Sequence, residues 1–355
     1  MTDFEHVQLA HGGGGQLTAE LIRQVILPAV GGPQQADRLS DAAEIAVDAG
    51  KIAFTTDTYV VRPLEFPGGD IGKLAVCGTI NDLAVAGARP AALSIGIVAR
   101  EGLEIALLRR VLASAGRAAR EAGVAIVTGD TKVVGREALD GLVINSSGVG
   151  QVAAGAKLGF DRVSPGDRIV LSGPLGEHGL AIMSQREALS FSAELASDCA
   201  AIHGLTSALI GRLGAEVRFM RDPTRGGLAT VVVELAAAVG MDIELQESAI
   251  PVNRTARAAA EMLGLDLLTI ANEGKLVAVV SPAAAEQAVA ILAEHEIARE
   301  AAVIGTIGPA DSGAAGEAGR GGPDGGPAGL VELLTRVGGR RIVQMPYGEE
   351  LPRIC

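Results

Sequence analysis

The sequence has no tryptophan, and aromatic residues make up only 2% of it. That leaves few of the flat side chains on which single-stranded bases stack. Acids outnumber bases 42 to 30, for a net charge of -12, so the counterion-releasing basic surface that holds a nucleic-acid backbone is also missing. Nucleic acid is therefore not an expected partner. No apolar run approaches the roughly 18 residues needed to span a bilayer, and Asp3 and Glu5 interrupt any export-like leader. The expected molecule is soluble and cytoplasmic, with no membrane contact. The three cysteines, at 77, 199 and 355, form no close pair. They supply neither a disulfide framework nor a metal-binding spacing, which suits a reducing compartment.

What is abundant is glycine, 48 residues, beside an apolar fraction of 48%. Such a chain is rich in tight turns and close backbone approaches but retains enough apolar surface for a core. Its 355 residues allow two domains. In the first, Glu44–Val47, Ile52–Thr55, Ala92–Val98 and Leu142–Val149 read as strands, and Ile71–Ala86 and Ile105–Ala122 as helices. This gives an α+β half. The second starts after a boundary between 152 and 164, where Ser164-Pro165-Gly166-Asp167 turns into a strand at Arg168–Ser172. Helices are expected over 177–188, 192–212, 226–239 and 253–263, and strands around 266–271 and 275–280. Residues 310–329 are Gly/Pro/Ala-rich without periodicity and read as a mobile insertion. A closing hairpin, Val331–Thr335 with Arg341–Gln344, follows. The expected division is 1–156, 157–345 and a mobile tail, 346–355.

Five features bear on chemistry. His11 followed by Gly12, Gly13, Gly14 and Gly15 precedes a helical Leu17–Ile26, so it reads either as an anion cradle or as a flexible leader. Asp57, Asp82 and Asp130 stand near strand or helix ends. They are turn and capping residues or, if they converge, carboxylates for Mg-ATP. Lys132 adds a compact cation for a polyphosphate. Asp222-Pro223-Thr224-Arg225-Gly226-Gly227 opens an apolar helix, either as a phosphate or substrate contact or as a plain cap. In Asn272-Glu273-Gly274, Glu273 is a general base or a solvated turn residue. Finally, the sequence closes on Pro352-Arg353-Ile354-Cys355. An α-carboxylate raises the pKa of that thiol and Arg353 opposes it, so Cys355 reads as a carrier loaded by another catalyst rather than a self-activated nucleophile. Chain ends also fray without function.

These segments, with Thr55-Thr56-Asp57-Thr58-Tyr59-Val60-Val61 and Phe66-Pro67-Gly68-Gly69-Asp70-Ile71-Gly72-Lys73-Leu74, resemble the HypE family almost end to end. So do Gly78–Ala84 and Gly129-Asp130-Thr131-Lys132-Val133-Val134. HypE proteins are carbamoyl dehydratases of hydrogenase maturation, within the superfamily of aminoimidazole ribonucleotide synthetase and selenophosphate synthetase. The aspartates and Asp-Pro-Thr-Arg-Gly-Gly are shared across the superfamily; the Pro-Arg-Ile-Cys ending separates this family from the rest.

The resemblance implies a two-domain α+β, PurM-like fold whose N-terminal half pairs strands across a homodimer. It implies that a carbamoyltransferase maturation factor loads Cys355 and that ATP then drives dehydration of the S-carbamoyl group to S-cyanate. The cyanide would pass through an iron-scaffold maturation complex to the iron of a [NiFe]-hydrogenase. Glu273 takes the role of base, with Cys355 and Lys132 in the chemistry. Gly12–Gly15 would cover phosphate, and Asp57, Asp82 and Asp130 would bind Mg²⁺ and ATP. Asp222, Thr224, Arg225 and Gly226 would complete the pocket. Two other readings remain: a small-molecule ATP-dependent synthetase or kinase with Cys355 incidental, and a tail that serves only as a docking peptide. From Met345 to Cys355 the tail can extend about 33 Å at ~3.3 Å per residue. Ordering it costs about 1–2 kcal/mol per residue.

Overall fold

The computed structural model describes residues 5–8, 21–30, 50–187, 195–310, 329–346 and 354. The glycine leader, the strand expected at Glu44–Val47, nearly all of the 310–329 insertion, most of the tail and Cys355 lie outside these residues. Two sheets organise the rest. In the first half, β1 (Ile52–Tyr59), β4 (Ala88–Arg100), β5 (Ala125–Val134) and β6 (Leu142–Val152) form a four-stranded sheet in the order β1-β6-β4-β5. A short ribbon, β2 (Glu65–Phe66) with β3 (Gly69–Asp70), leads into α1 (Ile71–Val85). Asp70 caps α1, accepting from the Gly72 and Lys73 amides at 2.8 and 3.0 Å. Together with α2 (Ile105–Glu121), α1 covers one face of the sheet. Ile105, Leu108, Val111, Leu112, Ala115 and Ala119 give α2 a single buried stripe. By contrast α1 is buried nearly all round, because the second half packs on its far side.

Period-two alternation fixes which residues face the helices. On β1, Thr55, Asp57 and Tyr59 point inward, while Ile52, Phe54, Thr56 and Thr58 point to the uncovered face. Phe54 is 71% exposed there and Ile52 52%.

The second half holds a seven-stranded sheet in the order β13-β12-β9-β11-β7-β10-β8. Its strands are β7 (Arg168–Leu171), β8 (Val217–Arg221), β9 (Met241–Gln246), β10 (Val277–Val280), β11 (Ala302–Ala310), β12 (Val331–Leu334) and β13 (Arg340–Ile342). Its helices are α3 (Glu177–Arg186), α4 (His203–Leu213), α5 (Gly227–Val239), α6 (Arg254–Leu263) and α7 (Ala285–Ala293). Val277 and Val279 face the core formed with α5; Ala278 and Val280 face the one formed with α4 and α7. A strand covered on both faces reads as a continuous apolar run.

Two expectations fail. Residues 266–271 are a turn, not a strand: Asp266 accepts the Leu268 amide at 3.0 Å through its side chain and the Thr269 amide at 3.0 Å through its carbonyl. Of the helix expected over 192–212, the described part begins at His203. Residues 195–202 are irregular, and the Ile202 amide donates to the Asn81 side chain at 2.8 Å instead.

Candidate active site

Residues from both halves meet beside α1. Asp82, late on α1, faces β1, where the Thr55 hydroxyl donates to it at 2.8 Å. Burial raises its pKa, Thr55 opposes that, and Asp57 adds a further upward push. Asp222, just past β8, is pushed up to about 7, chiefly by burial and then by Asp82, with Asp57 contributing less. Arg225 reaches to 3.9 Å from Asp57. Thus Asp57, Asp82 and Asp222 lie in one another's fields. Among the described residues no group of three or more His, Cys, Asp or Glu is closed up as a ready-made metal cage. Three carboxylates that repel one another do suit a divalent cation, which neutralises them.

The expected gathering of Asp57, Asp82 and Asp130 does not occur within one chain. Thr58, Asn145, Gly96 and Asp130 stand in one row across the sheet, so Asp130 projects on the uncovered face, opposite to Asp57. The two are also three strands apart, about 14 Å at ~4.8 Å per strand. Lys132, two residues on, shares the Asp130 face and is exposed. Asp57 and Asp130, expected near strand ends, lie within β1 and β5, and the sequence does not reveal which face each one takes.

Between β8 and α5, Gly226 and Gly227 have φ of +73° and +59°. A Cβ on Gly227 would sit 2.5 Å from the Leu268 carbonyl oxygen, so only glycine fits this left-handed approach. Thr224 accepts the Gly227 amide at 2.9 Å. The Asn272 amide and side chain both donate to the Pro223 carbonyl, at 3.0 and 3.2 Å, tying Asn272-Glu273-Gly274 to the Asp222 loop.

Glu273 is 2% exposed. Its carbonyl accepts from the Asn81 side chain at 3.2 Å and its amide donates to Asp198 at 3.1 Å. Asp198 also takes the Gly274 amide at 3.2 Å and pairs with the buried Lys275 at 3.4 Å; Lys275 reaches Glu177 at 3.1 Å. Leaving one partner of such a buried pair alone costs about 3–5 kcal/mol, so Asp198 and Lys275 are needed together at the turn. Tyr59, buried and 3.5 Å from the Thr79 hydroxyl, has its pKa raised well above normal by burial, then by Asp57, Glu273 and Asp82. It therefore feels the charge of both the aspartates and Glu273.

The AIR synthase related protein family matches over its N-terminal domain at residues 39–152 and its C-terminal domain at 164–316. The hydrogenase expression/formation protein HupE of Azotobacter chroococcum is 46% identical over 98% of this chain and 97% of its own length. Carbamoyl dehydratase HypE of Azotobacter vinelandii is 45% identical over 98% and 97%. The chain belongs to the HypE family. A crystal structure of HypE in complex with ATP superposes with a TM-score of 0.90 at 42% identity, covering 98% of this chain and 99% of that one. HypE from a HypE-HypF complex superposes at 0.76 and 40% identity, covering 92% and 99%. The fold is thus the two-domain AIR synthase arrangement expected from the sequence.

One further contact bears on what a HypE chain does with its end. Ile354 is 6% exposed, packed within the core cluster that includes Phe66, Leu195 and Cys199. Its carbonyl accepts from His178 Nε2 at 2.7 Å. Sequence reasoning missed His178, Ser197, Asp198, Asn81 and Tyr59 as site residues. Asn81 and Tyr59 fall inside the quoted motifs, whereas residues 197 and 198 lie in a segment read as helix, which hid them.

Proposed function

We propose that this chain is an ATP-dependent carbamoyl dehydratase that acts on an S-carbamoyl group carried by its own Cys355. The observation that carries the reading is the buried Ile354 carbonyl at His178. It places the residue before Cys355 against the 195–199 segment, whose Asp198 holds Glu273. The chemistry demands such a site. Converting R–S–C(O)NH₂ to R–S–C≡N removes one oxygen and two protons, and an amide oxygen leaves only after becoming a phosphate ester. ATP supplies the γ-phosphoryl group, so the products are the thiocyanate, ADP and phosphate. Glu273, enclosed and fixed through its backbone, takes a proton from the amide nitrogen as phosphate departs.

Asp57, Asp82 and Asp222 would hold Mg²⁺, which when bound offsets charge on the phosphate oxygens. Thr224, Arg225 and Gly226 border the same space, with Gly12–Gly15 assigned as the phosphate cover by family resemblance. The solved HypE-HypF complex supports a HypF-like carbamoyltransferase as the source of the carbamoyl group. The cyanide would then go to an iron-scaffold complex serving a [NiFe]-hydrogenase.

Asp130 and Lys132 sit on the uncovered sheet face with the exposed Phe54. Their part in ATP binding therefore depends on a second copy covering that face, as in the proposed homodimer. Phe54→Asp is expected to convert a dimer into a monomer in sedimentation equilibrium and to lower ATP use with it. A monomeric wild-type protein with full ATP use would refute this arrangement.

The decisive experiment follows the intact mass during incubation with the carbamoyltransferase, a carbamoyl donor and ATP. The expected course is gain of one carbamoyl group at Cys355 and then loss of water. A Cys355→Ala chain that still turns over a small substrate, beside a wild-type Cys355 that never changes mass, would sink the dehydratase reading.

A further inference from the structure

His178 opens an internal relay that no catalytic step above uses. It is fully buried at the start of α3, edge-on to Phe66 with ring centroids 5.5 Å apart. One ring nitrogen, Nε2, meets the Ile354 carbonyl at 2.7 Å; the other, Nδ1, meets the Ser197 hydroxyl at 2.7 Å. A carbonyl only accepts, so Nε2 carries the proton. Ser197 Oγ already accepts the Cys199 amide at 3.1 Å, which leaves its own proton to donate to Nδ1. The Ile354 carbonyl thus requires the Nε2–H tautomer, and the Ser197 hydroxyl complements it by donating to Nδ1.

The relay is itself held in place. The Ser197 amide donates to the Pro67 carbonyl at 2.8 Å. Gly68, at φ +91°, lets the chain pass so close that a Cβ would come within 2.5 Å of the Ser197 carbonyl oxygen. Burial lowers the pKa of His178, which favours the neutral ring this pattern needs. The next residue, Asp198, receives the Glu273 and Gly274 amides. Two consecutive residues, Ser197 and Asp198, therefore tie the tail's anchor to the backbone of the candidate base.

We propose that His178 is the positioning residue that seats the tail, gripping the Ile354 carbonyl so that the adjoining Cys355 is presented beside Glu273, with Ser197 holding the ring through its other nitrogen. The seat discriminates by backbone, so it accepts the tail whether or not the thiol is loaded. Its strength sets how Cys355 divides its time between the interior and an external partner. What the seated thiol does rests on the dehydratase reading; the seat itself does not.

The test is the alkylation rate of Cys355 by iodoacetamide in the full chain, read on the C-terminal peptide; Cys77 and Cys199 are buried. His178→Leu removes the donor and is expected to raise the rate about three- to tenfold, the effect of losing one hydrogen bond. A glutamine places its amide nitrogen near the position of Nε2, and an asparagine near that of Nδ1. His178→Gln is therefore expected to restore the wild-type rate and His178→Asn to leave it raised. Unchanged ATP binding checks each variant's fold, and the Gln–Asn contrast decides if the leucine variant does not fold. Alkylation at the wild-type rate in both His178→Leu and His178→Asn, or equal rates for Gln and Asn, would overturn the seat. If the contrast appears while Cys355 never loses water under turnover conditions, the seat stands and the dehydratase reading fails.

Discussion

Glu273→Gln is expected to yield a protein that accepts the carbamoyl group and binds ATP but forms the thiocyanate on Cys355 about 10²–10⁴ times more slowly, the usual weight of a positioned general base. That corresponds to about 3–5 kcal/mol of barrier. The substitution keeps the hydrogen bonds made by the residue 273 main chain while removing the carboxylate. Asn81 holds the residue 273 carbonyl, Asp198 holds its amide, and Asn272 laces the turn to Pro223. An amide of equal size leaves those bonds in place. Intact-mass spectra should therefore show the carbamoylated species accumulating, with ATP affinity by calorimetry within about twofold of wild type, below the effect of one hydrogen bond. Dehydration at the normal rate would remove Glu273 from the mechanism.

Much of the first half is legible in the sequence because each element there meets a single pattern. The alternation in β1 and the apolar stripe of α2 each match a sheet or helix with one covered face. Legibility falls where burial is two-sided. Residues 266–271 are as apolar as a strand, yet they line the Gly227 approach, and the Leu268 carbonyl accepts the Ala229 amide at 2.8 Å instead of a ladder bond. Residues 195–202 carry helix-like composition, but their polar groups are claimed by Asn81, Pro67 and Glu273. Tertiary partners overrode local propensity in both places.

The site divides in the same way. Asp82, on α1, and Asp222, in the turn after β8, stand in short motifs singled out in the sequence, and these segments do come together. Asp130 looked equivalent to them because its sequence carries no mark of which sheet face it takes; it lies within β5, not at its end. Only the Thr58–Asn145–Gly96–Asp130 row shows it on the far side of the sheet. His178 carried no signal at all, since its two partners lie 19 and 176 residues away in sequence.

Asp222 supplies the second large effect, because its charge opposes the fold and serves the ligand. Its folded pKa of about 7 stands above the ordinary aspartate value of about 3.9. The folded chain therefore binds this proton more tightly than the unfolded chain does. The resulting stabilisation is complete below about pH 4 and is lost as pH rises through about 7. Asp222→Asn cannot ionise. Its melting temperature, compared with wild type without ligand, should accordingly gain progressively between pH 4 and 7 and level off above. Magnesium-dependent ATP binding should move in the opposite direction. A cation needs the carboxylate, so wild-type affinity should climb about tenfold per pH unit up to 7 and then flatten. Asp222→Asn should lose that slope together with at least about 100-fold in affinity, exceeding the 10–100-fold typical of outer-shell changes. Asp82→Asn should likewise lose Mg-ATP use, whereas Asp130→Asn should weaken it only in the dimer. Calorimetric titration of Mg-ATP at pH 5, 6, 7 and 8, paired with melting curves, separates the two arms. An Asp222→Asn protein that binds Mg-ATP like wild type would show that the three facing carboxylates exist for something other than the cation, and the phosphate site would then have to be sought at Arg225 and the glycine turn alone.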